Sequence, residues 1–219
     1  MKNRIVQLDF LKCVFILHVI MIHLVYLGQT YPWLKEFFLL YTTPVFFVIS
    51  GFLAHVDKPF TEFYQKVKWW LVPYIVMEGL YIILASILPI NEHIDRLDIL
   101  VFLRKPSWQS SYPALVRSLW LTYVMTVFWL TVYRFMPQLF RKGAFVIGKN
   151  TLPILLFSPA FTIITKLFVP LFTFDPTVIL FTITAVAFTV CGCLLTAKAM
   201  DYLRISPYFC GKDHFFCRK

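Results

Sequence analysis

The sequence predicts an all-α fold: a polytopic membrane helix bundle of about six transmembrane helices, with both termini cytoplasmic. Three observations predict it. The chain is 59% hydrophobic and only 15% charged, whereas soluble domains run at about 45–50% apolar and about 25% charged. Six stretches are each long and apolar enough to approach the roughly 20 residues that a spanning helix needs. Lys and Arg alternate in density between successive connections, as they do when cytoplasmic loops collect positive charge.

The spans fall at residues 8–27, 37–54, 69–90, 118–135, 151–172 and 177–200. The second and third are uninterrupted by charge except for Glu78. The fifth is interrupted by Pro153, Pro159, Lys166 and Pro170, which predicts a kinked or partly re-entrant segment.

With the N-terminus inside, fourteen Lys and Arg fall on the inner side and five on the outer side, leaving aside Lys12 and Lys166 within spans. That asymmetry gives an even number of crossings. The longest outer connection, residues 91–117, carries Glu92, His93, Asp95 and Asp98, and its apolar stretch 97–103 suits the membrane surface. Residues 1–219 form a single integral-membrane domain, with no internal repeat and no low-complexity segment.

The net charge of +10 would suggest nucleic acid in a soluble protein. In a membrane protein it stems from the cytoplasmic loops, and no nucleic-acid partner is expected. The five cysteines, Cys13, Cys191, Cys193, Cys210 and Cys217, make no metal-site spacing, so no metal is expected. No cleavable signal peptide is expected either. Asp9, Lys12, His18 and His23 interrupt the first apolar stretch, and no small-residue cleavage site closes it.

Ionisable groups inside a span each cost about 2.5–3.5 kcal/mol on insertion scales, so they need a reason. Residues advance about 100° each along a helix, so Lys12 and His23 lie within about 20° of one another and about 16 Å apart along the axis. Asp9 lies about 60° from Lys12 on the same side, and His18 about 140° away from His23. A cation near the inner end and an imidazole near the outer end suit an acyl carrier crossing the bundle. The same residues also suit a lysine reaching the inner interface and a hydrogen-bonded interfacial histidine.

Three further features bear on chemistry. Ser50-Gly51 makes a small surface that a helix or a ligand can approach closely. Lys66 and Lys68 stand at a cytoplasmic helix start, where they either hold the phosphates of a nucleotide-like co-substrate or anchor the helix. Glu78 lies about ten residues into the third span, so it is paired, with Lys12 a candidate, or protonated.

Together these motifs resemble acyltransferase family 3, the multi-pass membrane O-acyltransferases, and most closely its fucose 4-O-acetylase-like branch. Leu8-Asp9-Phe10-Leu11-Lys12, ten residues, then His23 is similar to the family's first helix, which carries Arg, ten residues, His. Phe46-Phe47-Val48-Ile49-Ser50-Gly51-Phe52 resembles its second-helix signature, and Leu71-Val72-Pro73-Tyr74 resembles the family's segment after that helix and its basic loop. Ile147-Gly148-Lys149-Asn150-Thr151-Leu152-Pro153-Ile154 resembles a segment near its C-terminal helices. The resemblance covers residues 4–80 and 145–210. Lys12 stands where Arg is usual, Ser158 where relatives often have His, and the middle reads as shortened.

The resemblance implies transfer of an acyl group, most simply acetyl, from acyl-CoA to a hydroxyl of a cell-surface glycan or lipid-linked sugar. It implies His23, Lys12 and Asp9 as the catalytic set, with Lys66, Lys68, Ser50 and Gly51 binding the donor. Acetyl-CoA would be a co-substrate, with no permanently bound cofactor. The setting would be the cell membrane, with the bilayer as partner; the shortened middle reads as a compact member, an internally deleted paralogue, or a chain that needs a membrane protein partner or a second copy of itself in a homo-oligomer. The alternative is a catalytically inactive relative that scaffolds a glycan synthesis or export complex. A transporter would need more polar residues on several helices.

Overall fold

The computed structural model describes residues 5–53, 76 and 108–206. Every regular element among the described residues is helical: α1 (Val6–His23), α2 (Val25–Thr30), α3 (Pro32–Leu53), α4 (Trp108–Phe135), α5 (Gln138–Lys149), α6 (Thr151–Lys166), a 3₁₀ turn (Val169–Phe172) and α7 (Ile179–Tyr202). The third predicted span, residues 69–90, lies outside the described residues, as do Lys66, Lys68 and Glu78.

Two of these helices, α1 and α7, are long and apolar enough to cross a membrane. The α5–α6 pair would make a third span, but it is bent by 82° at its break. The second and fourth predicted spans overlap α3 and α4, helices of 22 and 28 residues that begin at Pro32 and Trp108, ahead of the predicted starts.

Helix α1 is the hub, touching each of the other six described helices. Its apolar faces divide the packing. Ile16 and Ile20 meet Ile154 and Phe157 of α6 and Val190 and Cys193 of α7. Leu11 and Phe15 meet Phe38, Tyr41 and Val45 of α3, with Met125 and Trp129 of α4 against them. Phe10, Cys13 and Val14 meet Ala144 of α5. Lipid tails are as apolar as these side chains, so close van der Waals fit holds such helices together.

The first predicted span, 8–27, is divided. Leu24 takes an extended conformation (φ −77°, ψ 100°) and ends α1 at His23. The short α2 comes next, and Leu24 and Leu27 pack with Val178, Phe181 and Ala185 at the start of α7. Helix α3 opens on Pro32, whose missing N–H costs nothing at a first helical position. It continues through Pro44, one residue before the fully packed Val45.

The bend between α5 and α6 is built at Asn150. Its amide Nδ2 donates to Val146 O at 2.9 Å and its backbone N–H to Ile147 O at 3.0 Å, satisfying carbonyls at the end of α5. Past Asn150, α6 proceeds through Pro159, with Thr162 Oγ1 donating to the Pro159 carbonyl at 2.9 Å. The sixth predicted span begins two residues late, at Ile179, because Val178 is left-handed (φ 58°). Asp175 instead caps α7. Its Oδ2 accepts from the N–H groups of Leu180 (2.8 Å) and Phe181 (3.2 Å), and its Oδ1 from the N–H (3.2 Å) and hydroxyl (2.7 Å) of Thr177.

Candidate functional site

The central helix carries the first three candidate residues. Asp9 and Lys12 sit one turn apart near its N-terminal end, and the structure brings them together: Lys12 Nζ lies 3.8 Å from Asp9 Oδ1. The carboxylate is buried, while the lysine side chain keeps 23% of its surface accessible. The pair therefore presents a cation outward over a buried anion. His23 is the last residue of α1 and is exposed. The extended Leu24 after it turns the chain away, so the imidazole stands at the helix end, about 16 Å from Lys12 along the axis.

Asp9 is buried for a local reason. Gly148 of α5 lies so close to it that a Cβ at Gly148 would fall on the Asp9 carbonyl oxygen. Only a glycine lets α5 cross α1 at that point. Ser50 and Gly51, read as a surface for close approach, lie within α3. Among the described glycines, the tightest approach is at Gly148, within the segment resembling the family's C-terminal helices.

His18, on another side of α1, has the most elaborate surroundings of the histidines among the described residues. It is buried, its Nδ1 is 3.2 Å from the hydroxyl of Tyr41, and its ring stacks on Phe38 at 4.5 Å and 17°. Trp129 of α4 lies 5.7 Å away, centroid to centroid, and its buried Nε1–H has no hydrogen-bond partner among the described residues. Tyr41 is fully buried, and its backbone carbonyl accepts from Thr122 Oγ1 of α4 at 3.4 Å. The sequence signal for this cluster was present, a second costly imidazole in the first span. Its partner is 23 residues away on another helix, and no spacing rule reaches that far.

Ser158, where the family pattern has His, is buried and donates to Leu155 O at 3.3 Å. No group of three metal-binding side chains occurs among the described residues. An apolar cavity of about 220 Å³ opens between the 3₁₀ turn and α7, lined by Phe168, Phe172, Phe181, Thr184, Ala185 and Phe188. It borders the cluster that holds Leu24, the neighbour of His23.

A family model described as an acyltransferase domain, acyltransferase family 3, matches residues 5–145, well over half of the 219. The match contains Asp9, Lys12, His18 and His23. It runs through residues 81–144, which the sequence resemblance left out, and ends before Ile147. No curated protein and no solved structure matches the chain.

Proposed function

Because the chain belongs to acyltransferase family 3, we propose that it is a membrane O-acyltransferase that moves an acetyl group from acetyl-CoA to a hydroxyl of a cell-surface glycan or lipid-linked sugar. The observation that carries this reading is the family match across α1, with the Asp9–Lys12 pair near one end of that helix and an exposed imidazole at the other. In this reading the chain crosses the cell membrane about six times with both termini cytoplasmic.

The chemistry is a single acyl exchange. The neutral imidazole of His23 takes the proton of the acceptor hydroxyl. The acceptor oxygen attacks the thioester carbonyl, an ester C–O bond forms, the C–S bond breaks, and the CoA thiolate leaves and takes up a proton. Lys12, held by Asp9, supplies positive charge along the donor's path. Lys66 and Lys68 bind the CoA phosphates, and Ser50-Gly51 lets the pantetheine arm pass close to backbone.

The test is transfer of labelled acetyl from acetyl-CoA to a glycan acceptor by the reconstituted protein. Wild type transfers and His23→Ala does not. Equal transfer by both removes His23 from the mechanism. No transfer by either, with a membrane protein that co-purifies stably, supports a scaffold instead.

A further inference from the structure

Helix α5 has two unlike faces. Ala144 and Gly148 are buried against α1, with Arg141 and Phe145 half-buried beside them. The opposite face carries Leu139 (78% exposed), Phe140 (65%), Lys142 and Val146. Phe135 (80% exposed) and Arg134 continue it at the end of α4. At 12 residues α5 is about 18 Å long, far short of the roughly 30 Å hydrocarbon thickness. It also lies 82° from α6. A short helix roughly at right angles to its neighbour, apolar and basic on one outward face, fits the plane of the membrane surface, with its apolar side chains at the headgroup boundary.

The charge is one-sided. No Asp or Glu occurs between residues 99 and 174. Among the described residues no acidic side chain pairs with Arg134 or Lys142. Arg141 is fixed differently, with its guanidinium 4.8 Å from the Tyr133 ring and Nη2 donating to Arg134 O at 3.0 Å. That contact ties the last turn of α4, which carries Arg134, to α5, which carries Lys142. We infer that α5 and the end of α4 form a binding surface for anionic phospholipid. Phe135, Leu139 and Phe140 enter the acyl boundary, and Arg134 and Lys142 engage the lipid phosphates.

The inference is independent of the catalytic reading and of which way the chain is oriented. It is tested on the full chain by native mass spectrometry after exchange into equimolar phosphatidylglycerol and phosphatidylcholine. Wild type retains phosphatidylglycerol preferentially, and the preference falls in high salt because exposed charges are screened. Arg134→Gln and Lys142→Gln each reduce the preference about fivefold, while the remote Lys35→Gln leaves it unchanged. Both basic positions are exposed, so the variants keep the fold, which size-exclusion chromatography verifies. Equal retention of the two lipids by wild type, or an unchanged preference in the Arg134→Gln/Lys142→Gln double variant, overturns the inference. So does stoichiometric displacement of phosphatidylglycerol by free CoA, which would make the cations a site for a soluble phosphate.

Discussion

The hydroxyl of Tyr41 on α3 and Nδ1 of His18 on α1 lie 3.2 Å apart in a buried setting closed by Phe38, Phe15 and Trp129. This polar tie crosses between two helices that otherwise meet through Leu11, Phe15, Val45 and Ile49. Removing one partner strands the other, whereas removing both does not. Tyr41→Phe is therefore expected to lower stability by about 1–3 kcal/mol. A His18→Phe/Tyr41→Phe double variant should lose less than the sum of the single losses. Thermal unfolding of the detergent-solubilised protein gives the comparison, and strictly additive losses would show that the two groups do not interact.

The two packed glycines should behave differently. At Gly148 an added methyl meets the backbone of Asp9, which cannot step aside without moving α1. At Gly192 it meets the ring of Phe161, and a partly buried side chain can rotate. Gly148→Ala is expected to cost about 1–3 kcal/mol or more, and Gly192→Ala less. The order of the two melting temperatures checks this.

Lys12 and Asp9 give a charge-specific prediction. Lys12→Met removes the cation that lies 3.8 Å from the buried Asp9 carboxylate and should lower both stability, by about 1–3 kcal/mol, and acyl transfer. Lys12→Arg keeps the charge, with a planar head in place of a point charge, and should retain most of both. Parallel unfolding and transfer assays separate the two effects. An inactive but fully stable Lys12→Met would assign the lysine to the donor path alone.

Asp175 sets a pH dependence. The Thr177 hydroxyl first, and then the backbone N–H groups of Phe181, Leu180 and Thr177, hold its carboxyl below the ordinary value of 3.8, against the opposing effect of burial. A depressed carboxylate contributes stability that is present above its unfolded pKa and is lost as pH falls through the folded one. Asp175→Asn should therefore be less stable than wild type at neutral pH. The gap should begin to close as pH falls below about 3.8. Hydrogen exchange at Leu180 and Phe181, read from neutral to acid pH, reports it locally.

Much of the helical fold was legible because apolar run length is a direct consequence of the bilayer as solvent. Residues 37–54 and 177–200 match α3 and α7 within a few residues, whereas the kink expected within 151–172 is not where the chain bends: the 82° bend precedes it, between α5 and α6, and α6 runs through Pro153 and Pro159 as one helix to Lys166. Less legible were features decided by partners. Residues 138–149 read as a cytoplasmic loop because they are too short and too basic to span, and only contact with α1 shows which face of α5 is buried. Helix α4 begins at Trp108, ten residues before the apolar run that announced it. The end of α1 at His23 is set by the packing of Leu24 against α7, which no local rule contains. For the site, the shared side of Asp9 and Lys12 follows from one helical turn and was readable, while their 3.8 Å contact was not, since the partner offered for Lys12 was Glu78. The His18–Tyr41 link joins two helices and was not.

The glycine crossing has a mechanical corollary. Where Gly148 sits on the Asp9 carbonyl there is no slack, so a sideways shift of α5 is a sideways shift of the first turns of the hub helix. Any displacement of α5 at this crossing is therefore passed directly to the Asp9 backbone, one helical turn from Lys12.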